Sequence, residues 1–384
     1  SFSGAPMVVI GGGSPGNGWG QGAQQEVGRV AMIENVTRYA VTAHSAGEIA
    51  QCTEDVFTAA SSPHRGPAFL DVPLDHFFDS AAVDAPTLKT NGGAEPDPDD
   101  LTRIVDQLAG ATHPLLILGS DVWADGAEVA ARRIVEDLGI PTLTNGMGRG
   151  VLPGGHPLLV TKVRSAALNN ADLVIVVGTQ LDFRLGYGLF GGKDERPLAR
   201  VVHIADSPGQ LAGHLTLAAS AAGDLTKVLD GIRDGLQRKA TQPDWTDWAR
   251  GLRDQVKAAA ERDRALLTAE ADPIHPARIY GELLHRLADD AVVIGDGGDF
   301  VSFAGKFVEP QRPGCWLDPG PLGCLGAGIG AAIAARIARP NSQVVLLLGD
   351  GAAGFALSDV DTLVRHRLPV VMVMGNNSAW GLEK

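Results

Sequence analysis

The chain has 384 residues, 45% of them hydrophobic and 20% charged, with a formal net charge of −13 and a pI near 5.2. That composition suits a globular protein of about two or three domains, and an acidic balance without a basic stripe argues against nucleic acid as a partner. The longest apolar runs, such as LVIVVG at 173–178, are too short to span a bilayer, and no charged-then-apolar leader opens the chain, so neither a membrane partner nor a targeting segment is expected.

Taken in chain order, short apolar runs bounded by Gly, Pro or Asp alternate with amphipathic stretches, which is the pattern of parallel strands covered on both faces by helices. The fold class is therefore α/β. Strands are expected at 7–10, 68–72, 115–118, 173–177, 200–204, 291–294, 343–348 and 370–374. Helices are expected at 125–138 and at 277–288, where Ile279, Leu283, Leu284 and Leu287 share one face. Two polar stretches interrupt the rhythm, 83–100 (VDAPTLKTNGGAEPDPDD) and the charged 237–272. As linkers they divide the chain into segments 1–85, 100–235 and 273–384. No fixed-period repeat is evident.

GGGSPG at 11–16 follows a strand and fits GxGxxG. A dinucleotide fingerprint needs a helix opening directly after the turn, whereas this loop continues into NGWGQG without a second strand ending in an acid. A Gly-rich loop leaving a strand is the better reading, and a nicotinamide dehydrogenase would rest on this loop alone. Cys52, Cys315 and Cys324 form no CxxC pair, which suits a reducing, cytoplasmic compartment.

The strongest chemical signal lies near the end. LLLGDGAAG places Gly349-Asp350-Gly351 at the carboxyl end of a strand, where parallel sheets hold ligands. A second strand delivers Asn376-Asn377 to a similar edge, and 356–366 suits the crossover helix between them. A carboxylate, an amide oxygen and a backbone carbonyl are hard ligands that suit Mg²⁺ held together with a phosphate. Gly349, Gly351 and Ala352 lack bulk, so their backbone N–H groups can face anionic oxygens. The plainer alternative is a pair of turns, with Asp350 a helix cap and Asn377 a turn former.

GDG followed at this spacing by NN resembles the thiamine diphosphate motif, and the whole chain is similar to the acetolactate synthase (acetohydroxyacid synthase) large-subunit family. GPAFLDVPLD (66–75) resembles the end of that family's pyrimidine-binding domain. HPLLILGS, GIPTLTNGMGRG and ADLVIVVG resemble its central domain, and CWLDPGPLGCLGAGIGAAIAAR resembles the approach to GDG. The resemblance implies three domains with doubly wound parallel sheets. Segment 1–85 would be the C-terminal part of a pyrimidine-binding domain, 100–235 a Rossmann-like central domain, and 273–384 the N-terminal part of a diphosphate-binding domain.

The resemblance also implies site residues. Asp350, Asn377 and the backbone carbonyl of Ala379 would bind Mg²⁺. Leu325 stands where the family has a Met that wedges the cofactor into its bent form, and Gly298 and Asp299 stand at the diphosphate-contacting segment, where the family prefers Gly-Gln. Gln25 matches an active-site Gln, and Arg184 an Arg near flavin or substrate. The family's activating Glu is not found, since Glu26 stands far beyond its expected place, and the family's chain continues well past NN. These residues are therefore expected to belong to a longer protein.

The implied activity is decarboxylation of pyruvate and its ligation to a second 2-keto acid, in branched-chain amino-acid biosynthesis. A homodimer or homotetramer is implied, with a regulatory subunit and FAD left open. VRSAALNNADLVIVVG (163–178) departs from the family's flavin-contacting segment and looks more like oxalyl-CoA decarboxylases and 2-hydroxyacyl-CoA lyases, whose central domain binds an adenine nucleotide or the CoA tail. HIADSP (203–208) lacks the double acid of the flavin-binding synthases, and His203 reads as a core or strand-end residue. A non-catalytic scaffold remains a further alternative.

Overall fold

The structure is a computed structural model and describes residues 4–84, 92–191 and 198–381. By contact the chain divides into two compact units, Ser1–Ala94 and Glu95–Lys384.

The first unit carries β1 (Met7–Gly13), α1 (Arg29–Ile33), β2 (Tyr39–Thr42), α2 (Ile49–Ser61) and β3 (Pro67–Pro73). Its three strands are parallel in the order β1-β3-β2. Val56, Ala60 and Cys52 of α2 pack on Ala68, Leu70 and Val72 of β3. The glycines 11–13 prolong β1 rather than leaving it, pairing with Asp71, Val72 and Pro73. Side chains there would collide, because a Cβ on Gly11 would lie 3.0 Å from the Phe69 ring and one on Gly13 would lie 2.6 Å from the Arg29 guanidinium. Helix α1 begins only at Arg29, so the turn-then-helix geometry of a dinucleotide fingerprint is absent here.

The second unit contains two parallel sheets. The first is built from α3 (Pro98–Ala109), β4 (Pro114–Leu118), α4 (Ser120–Ala124), α5 (Glu128–Leu138), β5 (Thr142–Thr144), α6 (Arg164–Asn170), β6 (Leu173–Val177), β7 (Arg200–Ala205), β8 (Ala219–Ala222) and α7 (Leu225–Gln237), with strand order β5-β4-β6-β7-β8. Alternation along β4 is complete: Leu116 and Leu118 join the core under α3, α5 and α7, while Leu115 and Ile117 join the opposite core. Asp97 accepts from Asp99 N–H with Pro98 at the first helical position, so the end of the supposed first linker is the start of α3. Much of that linker, 85–91, lies outside the described residues.

After α7 comes α8 (Thr246–Leu267), a 22-residue helix in the stretch expected to be the second linker. The charged surface hides a narrow stripe. Trp245, just before the helix, and Trp248 donate to the carbonyls of Ala111 and Pro114, and Leu252 is buried in the core of the five-stranded sheet. Near the other end Asp263 pairs with Lys306 at 2.9 Å.

The second sheet is formed by α9 (Pro276–Leu283), β9 (Val292–Asp296), α10 (Asp299–Phe307), β10 (Trp316–Leu317), α11 (Ala327–Ala338), β11 (Val344–Gly349), α12 (Asp350–Ala356), α13 (Val360–Arg365) and β12 (Val371–Gly375), in the order β10-β9-β11-β12. Val345 and Leu347 face the core under α9 and α10; Val344, Leu346 and Leu348 face that under α11 to α13. The helix expected at 277–288 ends at Leu283 and finishes as a 3₁₀ turn, and the crossover expected at 356–366 is two helices, the first beginning at Asp350 itself. Each of the three segments thus has its own sheet, the last two sharing one compact unit. Among the described residues no helix is long and apolar enough to cross a membrane.

Candidate functional site

A cavity of about 290 Å³ opens at the carboxyl ends of β9, β11 and β12. Pairing of β11 with β9 and β12 sets Leu348 beside Asp296 and Gly349 beside Gly375, so three loops leave the sheet together. Of the residues proposed from sequence, Gly298, Asp299, Leu325, Gly349, Asp350, Gly351, Ala352, Asn377 and Ala379 all line it.

The loop after β9 carries Gly297 at φ 123°, in a region closed to most side chains. A Cβ there would stand 3.2 Å from Gly349 N and 3.3 Å from the Ala352 Cβ, so the absence of a side chain lets the two loops meet. Asp296, 1% exposed, accepts from Gly326 N–H at 3.1 Å and Gly328 N–H at 2.7 Å. It thereby fastens the start of α11, and the preceding Leu325, to the end of β9. Leu325 is half-buried at the cavity wall between Gly323 and Gly326, both in the left-handed region.

Asp350 is the first residue of α12, with Gly349 as its extended cap. Among the described residues its carboxylate has no hydrogen-bond or ion-pair partner, unlike Asp296 below it. Beyond β12 both asparagines shape a turn: Asn376 Oδ1 accepts from Ser378 N–H at 2.9 Å, and Asn377 Oδ1 from Ala379 N–H at 3.0 Å. The turn-forming reading of Asn377 is therefore realised, yet an amide oxygen has two lone pairs and one remains for a cation. Gly381 returns the chain past this amide, since a Cβ on it would lie 2.8 Å from Asn377 Nδ2 and 3.5 Å from the Asp299 Cβ.

These groups fit a divalent cation and a diphosphate. The Asp350 carboxylate, the Asn377 amide oxygen and the Ala379 carbonyl are hard oxygen donors, and the glycine-lined wall leaves backbone N–H groups accessible to anionic oxygens. Asp299, exposed at the start of α10, adds a second carboxylate to the wall. Two acids beside a diphosphate repel it unless a cation lies between them.

Two other proposed residues lie elsewhere. Gln25 is exposed in a turn of the first unit at φ 61°, before the start of α1. Its neighbour Glu26 accepts from Gly20 and Ala23 N–H groups at 3.0 and 3.1 Å and organises the same loop. Arg184, in the connection from β6 to β7, is held by Asp182 through contacts of 3.1, 3.0 and 2.7 Å, while its carbonyl accepts from Arg164. It is a locally paired cation that does not line the cavity. His203 is 1% exposed; Nε2 contacts the Thr179 carbonyl at 3.0 Å and Nδ1 accepts from Ala212 N–H, a strand-end tether.

Sequence reasoning passed over the roles of four residues that matter here. Asp296 had a readable signal, a lone acid closing an apolar strand, but Asp299 drew the attention. Trp380 had a weaker one, an aromatic three residues after Asn377. In the first unit, Asp75 accepts from Gly16 and Asn17 N–H groups, which hold its carboxyl below the usual range, and Asp71 pairs with Arg29 at 3.3 Å. Both acids of GPAFLDVPLD therefore brace the Gly-rich loop.

Comparison with known proteins agrees with this geometry. The thiamine pyrophosphate enzyme central domain matches residues 101–232, and the C-terminal TPP binding domain of such enzymes matches 296–384. The acetolactate synthase large subunit IlvG of Mycobacterium tuberculosis (strain ATCC 25618 / H37Rv) is 42% identical over 385 residues, covering 99% of this chain and 68% of that protein. A probable acetolactate synthase of Mycobacterium bovis matches to the same extent. The 2-hydroxyacyl-CoA lyase 2 of Homo sapiens is 29% identical over 415 residues, covering 98% of this chain and 65% of its own length.

Proposed function

The chain belongs to the acetolactate synthase family of thiamine pyrophosphate enzymes, and from that premise we propose that it condenses pyruvate, after decarboxylation, with a second 2-keto acid. It is a thiamine diphosphate-dependent enzyme. The observation that carries the fuller reading is that Asp350, Asn377, Ala379, Leu325 and the glycines of GDG line one cavity at the carboxyl ends of β9, β11 and β12.

Thiamine diphosphate, when bound, supplies the carbon nucleophile and the electron sink for loss of CO₂. The protein's share is placement. Asp350, Asn377 and the Ala379 carbonyl would hold Mg²⁺, whose charge would offset that of a diphosphate beside Asp299. Gly298, Gly349, Gly351 and Ala352 would leave backbone donors for its oxygens, and Leu325 would support the ring system above them. Gln25 and Arg184 remain candidates for the reacting end, Arg184 only if it leaves Asp182.

The domain assignment 1–85, 100–235 and 273–384, a cytoplasmic homodimer or homotetramer, a regulatory subunit and a place in branched-chain amino-acid biosynthesis belong to the same proposal. The 163–178 stretch and the similarity to 2-hydroxyacyl-CoA lyase 2 support a second reading, cleavage of a 2-hydroxyacyl-CoA, with a nucleotide tail in the central domain.

The test uses the full-length protein with thiamine diphosphate and Mg²⁺, with and without FAD, and follows pyruvate and 2-acetolactate together. Acetolactate that depends on both cofactors is the expected result, and its response to FAD decides the flavin. Cofactor binding without product from pyruvate, but with cleavage of a 2-hydroxyacyl-CoA, would replace the first reading by the second.

A further inference from the structure

Among the described residues, the side-chain hydrogen bonds of Asn376, Asn377 and Ser378 all close on the turn itself, and Ser378 sits at φ 53°. One side chain of the turn reaches across to α12. Trp380 lines the cavity, and its Cε2, Cδ2 and Cζ2 atoms lie 3.5–3.7 Å from where a Cβ on Gly351 would stand. Its ring also meets Phe355 edge-on, with centroids 5.8 Å apart at 86°. The indole is nevertheless 49% exposed, so its packing is confined to the cavity rim instead of continuing into a core.

We propose that Trp380 is a positioning residue: its indole, laid on Gly351 and Phe355, clamps the Asn377 turn against the first turn of α12, so that the two halves of the cation and diphosphate site keep their spacing before any ligand arrives. The inference rests on the metal-diphosphate reading of this cavity. Gly351 faces the ring across an ordinary van der Waals distance from its Cβ position. Preorganisation of this kind acts on affinity, since the ordering of the turn is then no longer charged to the binding step. It also places an indole at the mouth of the cavity, where a bound diphosphate and Mg²⁺ would change its surroundings.

Two variants separate clamp from scaffold. Trp380→Phe keeps a ring on Gly351 and removes the indole; Trp380→Ala removes the packing. In the full-length protein, Mg²⁺ with thiamine diphosphate is expected to change tryptophan emission and raise the Tm of the unsubstituted enzyme. Trp380→Phe should retain the Tm shift and affinity but lose the emission change. Trp380→Ala should bind the cofactor at least about tenfold more weakly, with its ligand-free Tm preserved.

Unweakened binding by Trp380→Ala, or an undiminished emission change in Trp380→Phe, overturns the clamp while the cofactor reading stands. Absence of any Tm shift in the unsubstituted enzyme overturns the cofactor reading, and the clamp with it.

Discussion

Asp350 and Asp299 each open a helix onto the same cavity, and Asp350 has no partner among the described residues. An acid left in that condition is available to a cation, so Asp350→Ala is expected to abolish the Mg²⁺-dependent part of the cofactor's Tm shift while the ligand-free Tm stays near the original, as a thermal titration would show. Both acids were legible in the sequence because each follows an apolar run and a glycine. The role of Asp296 was not, since it depends on Gly326 and Gly328, which come about thirty residues later. His203 makes a different kind of prediction. Burial pulls its imidazole below the ordinary range, against the hydrogen bond to Thr179, so the unfolded chain binds a proton that the folded one refuses. Its contribution is full above the unfolded pKa of about 6.5 and is lost as pH falls below it. His203→Gln should flatten the fall in Tm between about pH 7.5 and about pH 5.5, and an unchanged slope would remove His203 from the account.

At the level of elements, the strands read from sequence are the ones with long apolar runs, and those missed are β2, β5, β8 and β10, all at sheet edges. They are also short, two to four residues, and TLT or ASAA holds too few large apolar side chains to form a conspicuous run. Helix α8 escaped for a related reason. Its stripe of Trp248, Leu252, Val256 and Ala259 is one residue wide, and charge covers the rest. Connections between elements also depend on single side chains. Asp172, before β6, accepts from Thr112 N–H, Thr112 Oγ1 and His113 N–H at 2.8, 2.9 and 2.8 Å, tying the approach to β4. Burial works against the charged form, but those hydrogen bonds prevail and its carboxyl is held below the usual range. This stabilisation is present above the unfolded pKa of about 3.9 and disappears as pH drops through the folded one. Asp172→Ala should cost about 2 kcal/mol in urea unfolding at neutral pH, a difference that closes in acid.

For the larger unit as a whole, the five-stranded and four-stranded sheets are joined by more than chain connectivity. Arg149, in the loop after β5, reaches the carbonyls of Gly305 at 3.0 Å and Val308, and its guanidinium lies 4.3 Å from the centre of the Trp316 ring. Burial pulls its pKa down, with Glu309 and Asp318 opposing. Arg149→Met would keep the stem and strand two partly buried carbonyls, at a cost of about 2 kcal/mol. Hydrogen exchange should then speed up in β9 to β12 before β4 to β8; uniform acceleration would mean that the two sheets do not open separately. No sequence pattern announces such a residue, because its partners, two carbonyls and a ring, lie more than 150 positions away.

Helix α8 has one more property, which concerns length. With Trp248 fixed on the first sheet near one end and Asp263 bound to Lys306 of α10 near the other, it acts as a ruler with two marks. Each residue advances an α-helix by 1.5 Å and turns it by about 100°, so the marks agree in only one phase. Adding or deleting a single residue between them would swing Asp263 away from Lys306 while Trp248 stayed where it is. Changes of length in this stretch are therefore quantised: three or four residues together, about one turn, come nearest to restoring the phase, and single-residue changes fall between.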